Sequence, residues 1–221
     1  MRNFIENLKG AFFVSGTDTG IGKTACTGFL ARECARAGLR VATQKLIQTG
    51  CSGISEDIIE HRRIMGTDIF PEDKDGTTCP YVLSYPASPH VASAVDKVSF
   101  NFDKISDCTK RLLEKFDTVF VEGAGGIMVP LTENYLTANY ISDKKLPLIL
   151  VVPSRLGSIN HALMSFVACR AFNISLWGVV YNVFEADDSI LVNSTRDYLK
   201  MVLSRDFPET RFIEMSELSK L

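Results

Sequence analysis

Gly16-Thr17-Asp18-Thr19-Gly20-Ile21-Gly22-Lys23-Thr24 lies between a short apolar run, Ala11–Ser15, and a helical pattern, Thr24–Ala37. A glycine-rich turn in that strand-to-helix setting is what a phosphate-binding loop requires. Glycines let successive backbone N–H groups turn toward an anion, and the N-terminus of the helix adds partial positive charge. Lys23 then reaches the β and γ phosphates of a nucleoside triphosphate, and the Thr24 hydroxyl faces its metal ion. The usual form of the loop has glycine where this chain has Thr17, so the pattern is a variant one.

Outward from the loop, β-rich apolar runs alternate with helical patterns. Strands are expected at Ala11–Ser15, Leu39–Thr43, Thr118–Val121, Pro147–Val152, Leu176–Tyr181 and Arg211–Ile213. Helices are expected at Thr24–Ala37, Ser55–Met65, Pro89–Val95, Asp103–Lys115, Leu136–Lys144, Gly157–Phe172 and Asp188–Leu203. Several strands are apolar at consecutive positions, which suits a sheet covered on both faces. Strand–helix alternation implies βαβ units. The expectation is therefore an α/β fold of the P-loop NTPase-like type. It has a mainly parallel central sheet with helices on both faces, in a single domain spanning residues 1–221. Ser55 before Glu56 and Asp57 reads as a helix cap with first-turn acids, and Ser88-Pro89 as a second cap. Gly66–Ser88 shows no period and is expected to wrap the surface.

Hydrophobic residues make up 46% of the chain and charged residues 23%, enough for a full core. A net charge of -2 provides no global basic field for nucleic acid or an anionic membrane, so any anion site must be local. The six cysteines, Cys26, Cys34, Cys51, Cys79, Cys108 and Cys169, form no Cys-x-x-Cys pair. They read as reduced thiols of a cytoplasmic protein. His61, His90 and His161 are equally dispersed, so no His/Cys metal centre is expected. The apolar stretch Leu146–Val152 is interrupted by Pro147 and too short for a bilayer, and the N-terminal run is too short for a signal-peptide core. Ser219-Lys220-Leu221 matches a peroxisomal address by letter and is read as a plain tail.

Val119-Phe120-Val121-Glu122-Gly123-Ala124-Gly125-Gly126 is an apolar strand that ends in a carboxylate and a glycine run. Ligands of open α/β sheets collect beyond the carboxyl ends of the strands, which places Glu122 where an acid can meet magnesium. Asp57, read locally, is a helix-dipole acid. Thr24, Glu122 and one further acid would satisfy a magnesium ion that also binds phosphates and water.

Five blocks, taken together, resemble the dethiobiotin synthetases, ATP-dependent ligases that close the ureido ring in biotin synthesis. They are the loop itself, Lys45-Leu46-Ile47-Gln48-Thr49-Gly50, Ser88-Pro89-His90, Val121–Gly126 with Pro130-Leu131, and Gly157-Ser158-Ile159-Asn160-His161-Ala162. The resemblance implies a reaction of 7,8-diaminononanoate, CO2 and ATP that yields dethiobiotin, ADP and phosphate. It assigns Lys23 and Lys45 to catalysis and makes Asp57 a magnesium ligand beside Thr24 and Glu122. It assigns nucleotide contacts to Thr19, Gly20, Ile21, Gly22, Lys23, Thr24 and Ala25, to Asp57, Glu122, Gly123, Ala124 and Gly125, and to Asn182 and Val183. Thr49 matches a substrate-contacting position. Gly157, Ser158 and Asn160 match a turn that, from the partner subunit, holds the diamine's carboxylate, which implies a homodimer.

Gly20 stands where some members have glutamate, and Leu46 where proline is usual. After Tyr198 no Gly-x-Ile-Pro-like segment follows, from which relaxed selectivity for the nucleotide base is expected. Two other readings stay open at this point. One is a relative of the nucleotide-dependent cobyrinate and cobyrate amide ligases, whose glutaminase domain is not seen here. The other is a P-loop switch ATPase of the partitioning type, which needs an extra lysine early in the loop.

Overall fold

The computed structural model describes residues 8–183 and 188–216. Its central sheet is built from β1 (Gly10–Gly16), β2 (Val41–Lys45), β5 (Thr118–Gly126), β8 (Leu148–Pro153), β9 (Leu176–Asn182) and β10 (Arg211–Met215). The spatial order is β10-β9-β8-β1-β5-β2, and every neighbouring pair is parallel. Two small ribbons lie outside it: β3 (Gln48–Thr49) with β4 (Val82–Leu83), and β6 (Pro130–Thr132) with β7 (Tyr135–Leu136). Among the described residues no helix is long and apolar enough to cross a membrane.

The consecutive apolar residues of the strands supply two cores. Phe12, Val14, Ile149 and Val151 point to one face, against Phe29 and Leu30 of α1 (Lys23–Arg36). Phe13, Val119, Val121, Leu148 and Leu150 point to the other. That face is covered by α5 (Phe102–Lys115), α6 (Thr137–Asp143), α7 (Ser158–Ala171) and α8 (Ser189–Asp206). Period-2 side-chain alternation with both faces apolar is the signature of a sheet buried on both sides.

Topology fixes where a ligand can sit. From β1 the chain crosses to β2 at the edge, returns to β5 between them, and only then builds β8 to β10 on the far side of β1. The strand order therefore reverses at β1, and a crevice opens at the carboxyl ends of β1, β5 and β2. Register matters as much: Lys45 is paired with Glu122 across β2 and β5, and Val14 with Glu122 across β1 and β5.

Each expected strand and helix is present. β5 differs most, running on to Gly126, because its glycine run continues to pair with β1 beyond a register shift, Gly16 opposite Gly126. Gly66–Ser88 differs in kind from the surface wrap its sequence suggests. It contains α3 (Pro71–Lys74) and β4, with Asp73, Thr78 and Leu83 buried. A polar anchor, invisible to apolar periodicity, holds it. Asp73 receives Arg62 Nε at 2.9 Å and Nη2 at 2.8 Å, the Thr78 hydroxyl at 2.8 Å and the Phe70 N–H at 2.7 Å. Ser55 caps α2 (Glu56–Met65) by accepting the Ile58 N–H at 3.3 Å, as expected. Ser88 does not cap α4 (Pro89–Asp96) with its side chain; its hydroxyl lies 3.0 Å from His90 Nδ1. The six cysteines are all buried and unpaired, and Ser219-Lys220-Leu221 falls outside the described residues.

Gly28, in the middle of α1, lets α2 approach closely: a Cβ there would stand 2.9 Å from Ile64 Cβ and 3.1 Å from its Cγ2 and Cδ1. Those atoms sit close to the backbone of α2 and have little room to move. Gly28→Ala gains about 1 kcal/mol of helix propensity, but forced overpacking typically costs ~1–3 kcal/mol. The expected outcome is a net loss of about 1 kcal/mol in urea unfolding, relieved when Ile64→Ala is added.

Candidate active site

The loop between β1 and α1 forms the floor of a cavity of about 460 Å³. Gly22 takes the left-handed conformation, φ 84°, immediately before α1. A Cβ at Gly22 would also strike Asn182 Nδ2 at 2.5 Å, so glycine is required there for two reasons. Gly125, φ 70°, is constrained likewise, because a Cβ would meet Val129 Cγ2 at 2.8 Å. Lys23 is buried and its Nζ donates to the Asp18 carbonyl at 2.7 Å. Burial lowers its pKa from the ordinary lysine value, while nearby Glu122 pulls the other way. The Asp18 carboxylate pairs with Arg155, which follows β8.

Opposite the floor, three oxygen-bearing side chains converge. Thr24 Oγ1 lies 3.0 Å from Asp57 Oδ1 and 3.2 Å from Glu122 Oε1. Lys45 Nζ is 2.8 Å from Glu122 Oε1 and 3.3 Å from the Gly123 carbonyl, and it also pairs with Asp57. Burial alone would depress the Lys45 ammonium, but Glu122 and Asp57 outweigh it and hold its pKa above the usual lysine range. The converse holds for Glu122. Burial would raise its pKa, yet Lys45 and His61 bring it well below the carboxylate range.

The donor set suits magnesium. A hydroxyl and two carboxylates are hard oxygen ligands, and the ion usually takes one or two protein carboxylates plus phosphates and waters. The Lys45 ammonium already lies between the two carboxylates, so their oxygens are arranged around positive charge. Among the described residues no group of three His, Cys, Asp or Glu could hold a metal alone.

The structure brings most of the expected residues together. Thr19, Gly20, Gly22, Lys23, Thr24 and Ala25 line the cavity from the loop side. Lys45, Thr49, Asp57, Glu122, Ala124 and Gly125 line it from the other strands and α2. Ile21 and Gly123 are not among the residues that line it: the Ile21 side chain is in the core, and a Cβ at Gly123 would strike the Phe13 ring at 2.8 Å. Asn182 Nδ2 donates to the Ile21 carbonyl at 3.0 Å, tying β9 to the loop, and the N–H of Val183 donates to the Met215 carbonyl at 3.0 Å.

Gly157, Ser158 and Asn160 do not line this cavity. They open α7, with Gly157 at φ 89° and the buried Ser158 hydroxyl accepting the Arg155 N–H at 3.3 Å. A second cavity of about 380 Å³ shares Thr19, Thr49, Ala124 and Gly125 with the first and extends to Pro86 and Ser88. Sequence reasoning gives no role to Gln48, which lines the main cavity, or to His61, which lies under Glu122. His61 stands one helical turn after Asp57, so the four-residue spacing could have placed both on one face of α2.

A family model described as an AAA domain matches residues 10–211. The ATP-dependent dethiobiotin synthetase of Haemophilus ducreyi is 44% identical over 92% of this chain and 96% of its own length. That of Chlorobaculum tepidum is 49% identical over 92% of this chain and 85% of its own. The GDP complex of the signal recognition particle receptor FtsY from Elizabethkingia anophelis superposes with a TM-score of 0.52. It shares 15% identity, over 92% of this chain and 55% of that one, a likeness of fold alone. With such identity to the synthetases across nearly the whole length, the chain belongs to the ATP-dependent dethiobiotin synthetases.

Proposed function

We propose that the ligase reaction, ATP-dependent formation of dethiobiotin from 7,8-diaminononanoate and CO2, is carried out by the whole chain as one domain, with the residues of this cavity in distinct roles. The carrying observation is the Lys45 ammonium, at the end of the edge strand β2, set between Glu122 and Asp57. In the proposed course, one substrate amine adds to CO2 and loses a proton, giving a carbamate. A carbamate oxygen then attacks the γ-phosphorus, ADP leaves, and a carbamic-phosphoric anhydride forms. The second amine attacks the carbonyl carbon, phosphate is expelled and takes up the proton the amine loses, and the ring closes.

Substrate and ATP supply every reacting atom, so no side-chain nucleophile is needed. Positioning can provide on the order of 7–11 kcal/mol of barrier lowering, and fixed positive charge supports the transferring phosphoryl group. The α1 N-terminus and Lys23 hold the β and γ phosphates. Thr24, Asp57 and Glu122 would hold magnesium, which when bound would supply positive charge against the charge developing on the phosphates. Lys45, with Lys23, holds the carbamate and γ-phosphate, and Thr49 and the neighbouring second cavity take the diamine.

The diamine's carboxylate is assigned to Gly157, Ser158 and Asn160 of a second protomer. Support comes from their absence from the chain's own cavity lining and from the exposed apolar face beside them. Met164 is 64% exposed and Val167 65%, and both border a groove of about 730 Å³ between α7 and the phosphate loop. A homodimer would cover that face.

Three outcomes are expected. Lys45→Ala lowers diamine-dependent phosphate release by about 10²–10³-fold and leaves ATP binding nearly unchanged by fluorescence titration; wild-type turnover would refute its role. Met164→Glu sediments as a monomer and loses diamine-dependent turnover while still binding ATP, whereas a dimeric, active variant would sink the shared-site reading. Finally, kcat/KM for GTP, CTP and UTP lies within about tenfold of that for ATP. Sites built to hydrogen-bond one group reject its analogues far more strongly, so a large preference for ATP would end that idea.

A further inference from the structure

His61 is a fully buried imidazole that the scheme above leaves without a task. Its Nε2 lies 2.8 Å from Glu122 Oε2 and its Nδ1 lies 3.0 Å from Thr43 Oγ1. Beneath it, Arg62 Nη1 lies 2.9 Å from the same Thr43 oxygen, and the guanidinium forks onto Asp73 at 2.8 and 2.9 Å. The direction of each bond follows from donor counting. Arginine only donates, so Thr43 Oγ1 accepts from Arg62. A carboxylate only accepts, so His61 Nε2 carries a hydrogen and donates it to Glu122 Oε2. The hydroxyl hydrogen of Thr43 remains available to His61 Nδ1 on the other side of the ring.

That chain has a consequence for Glu122. Its two oxygens are divided: Oε2 is engaged from below by His61, while Oε1 faces Lys45 at 2.8 Å and Thr24 at 3.2 Å. We propose that His61 is a positioning residue that fixes the rotation of the Glu122 carboxylate, presenting only Oε1 to the magnesium and phosphate side. Thr43, itself held by Arg62 and Asp73, supports the ring from its Nδ1 side. One helix, α2, thus delivers Asp57 directly to the cavity and, a turn later, His61 to the back of the other carboxylate. The inference rests on the reading of Glu122 as a magnesium ligand. Partners that orient a ligand through its far atom typically contribute about 10–100-fold to metal affinity.

The test compares the wild type with His61→Leu, His61→Gln, Thr43→Val and Glu122→Gln. Affinity for a fluorescent ATP analogue is titrated with and without Mg2+, and melting temperature and kcat are recorded. His61→Leu is expected to reduce the Mg2+-dependent gain in nucleotide affinity by about tenfold and to leave the Mg2+-free affinity unchanged. His61→Gln, which keeps a donor, retains part of the gain, and Thr43→Val loses part of it. A purely structural role would lower the melting temperature without moving the ratio of the two affinities. If His61→Leu fails to fold, His61→Gln and Thr43→Val carry the same comparison. An unchanged ratio in the His61 and Thr43 variants, with the gain lost in Glu122→Gln, overturns the role of His61 alone. An unchanged ratio in Glu122→Gln overturns the ligand reading on which it rests.

Discussion

The buried carboxylate of Glu122 is the constraint on which the site depends. A charge with no solvent exposure in the middle of an interior strand is costly unless it is paired and hydrogen-bonded on every side. Here it has Lys45 from β2, His61 from α2 and Thr24 from α1. Each partner comes from a different element, so the carboxylate fixes their relative placement. The register that puts Lys45 opposite Glu122, the close contact of α1 and α2 at Gly28, and the anchored Gly66–Ser88 segment all serve that meeting point. Removing one member of a buried pair typically costs ~3–5 kcal/mol, because the other is left uncompensated. The same arrangement keeps the Lys45 ammonium charged despite its burial, which is what its proposed role toward phosphate requires.

Much of this is legible in the sequence. The strand–loop–helix setting of Gly16–Thr24 and the alternation of elements are enough for the fold, since both follow from local chemistry and periodicity. Glu122 is legible because an apolar run ending in an acid and glycines suits a buried strand that terminates near a ligand. What stays hidden has a common physical reason. Asp57 reads locally as a first-turn acid, and only the packing of α2 on α1 brings it 3.0 Å from Thr24. His61 looks dispersed because its partners, Thr43 and Glu122, come from two other strands. Gly66–Ser88 looks like a surface wrap because Asp73 and Arg62, rather than apolar residues, hold it. Polar anchoring has no period, and sequence patterns report periods.

Chemically, the cavity is built to hold rather than to attack. Its functional groups are ammonium, carboxylate, hydroxyl and backbone N–H, and the cysteines are unpaired and buried. For a reaction whose nucleophiles and electrophile all come from its substrates, holding is sufficient. The two adjoining cavities, one floored by the phosphate loop and the other reaching Ser88, suit a nucleotide and a second small molecule side by side, with Thr19, Thr49 and Gly125 between them.

The most direct measurement of this account is phosphate release from MgATP and bicarbonate, followed with and without 7,8-diaminononanoate, with the product's mass determined. Release is expected to depend on the diamine and to give a product with the mass of dethiobiotin. Phosphate release indifferent to the diamine, or nucleotide binding without turnover in its presence, would contradict it.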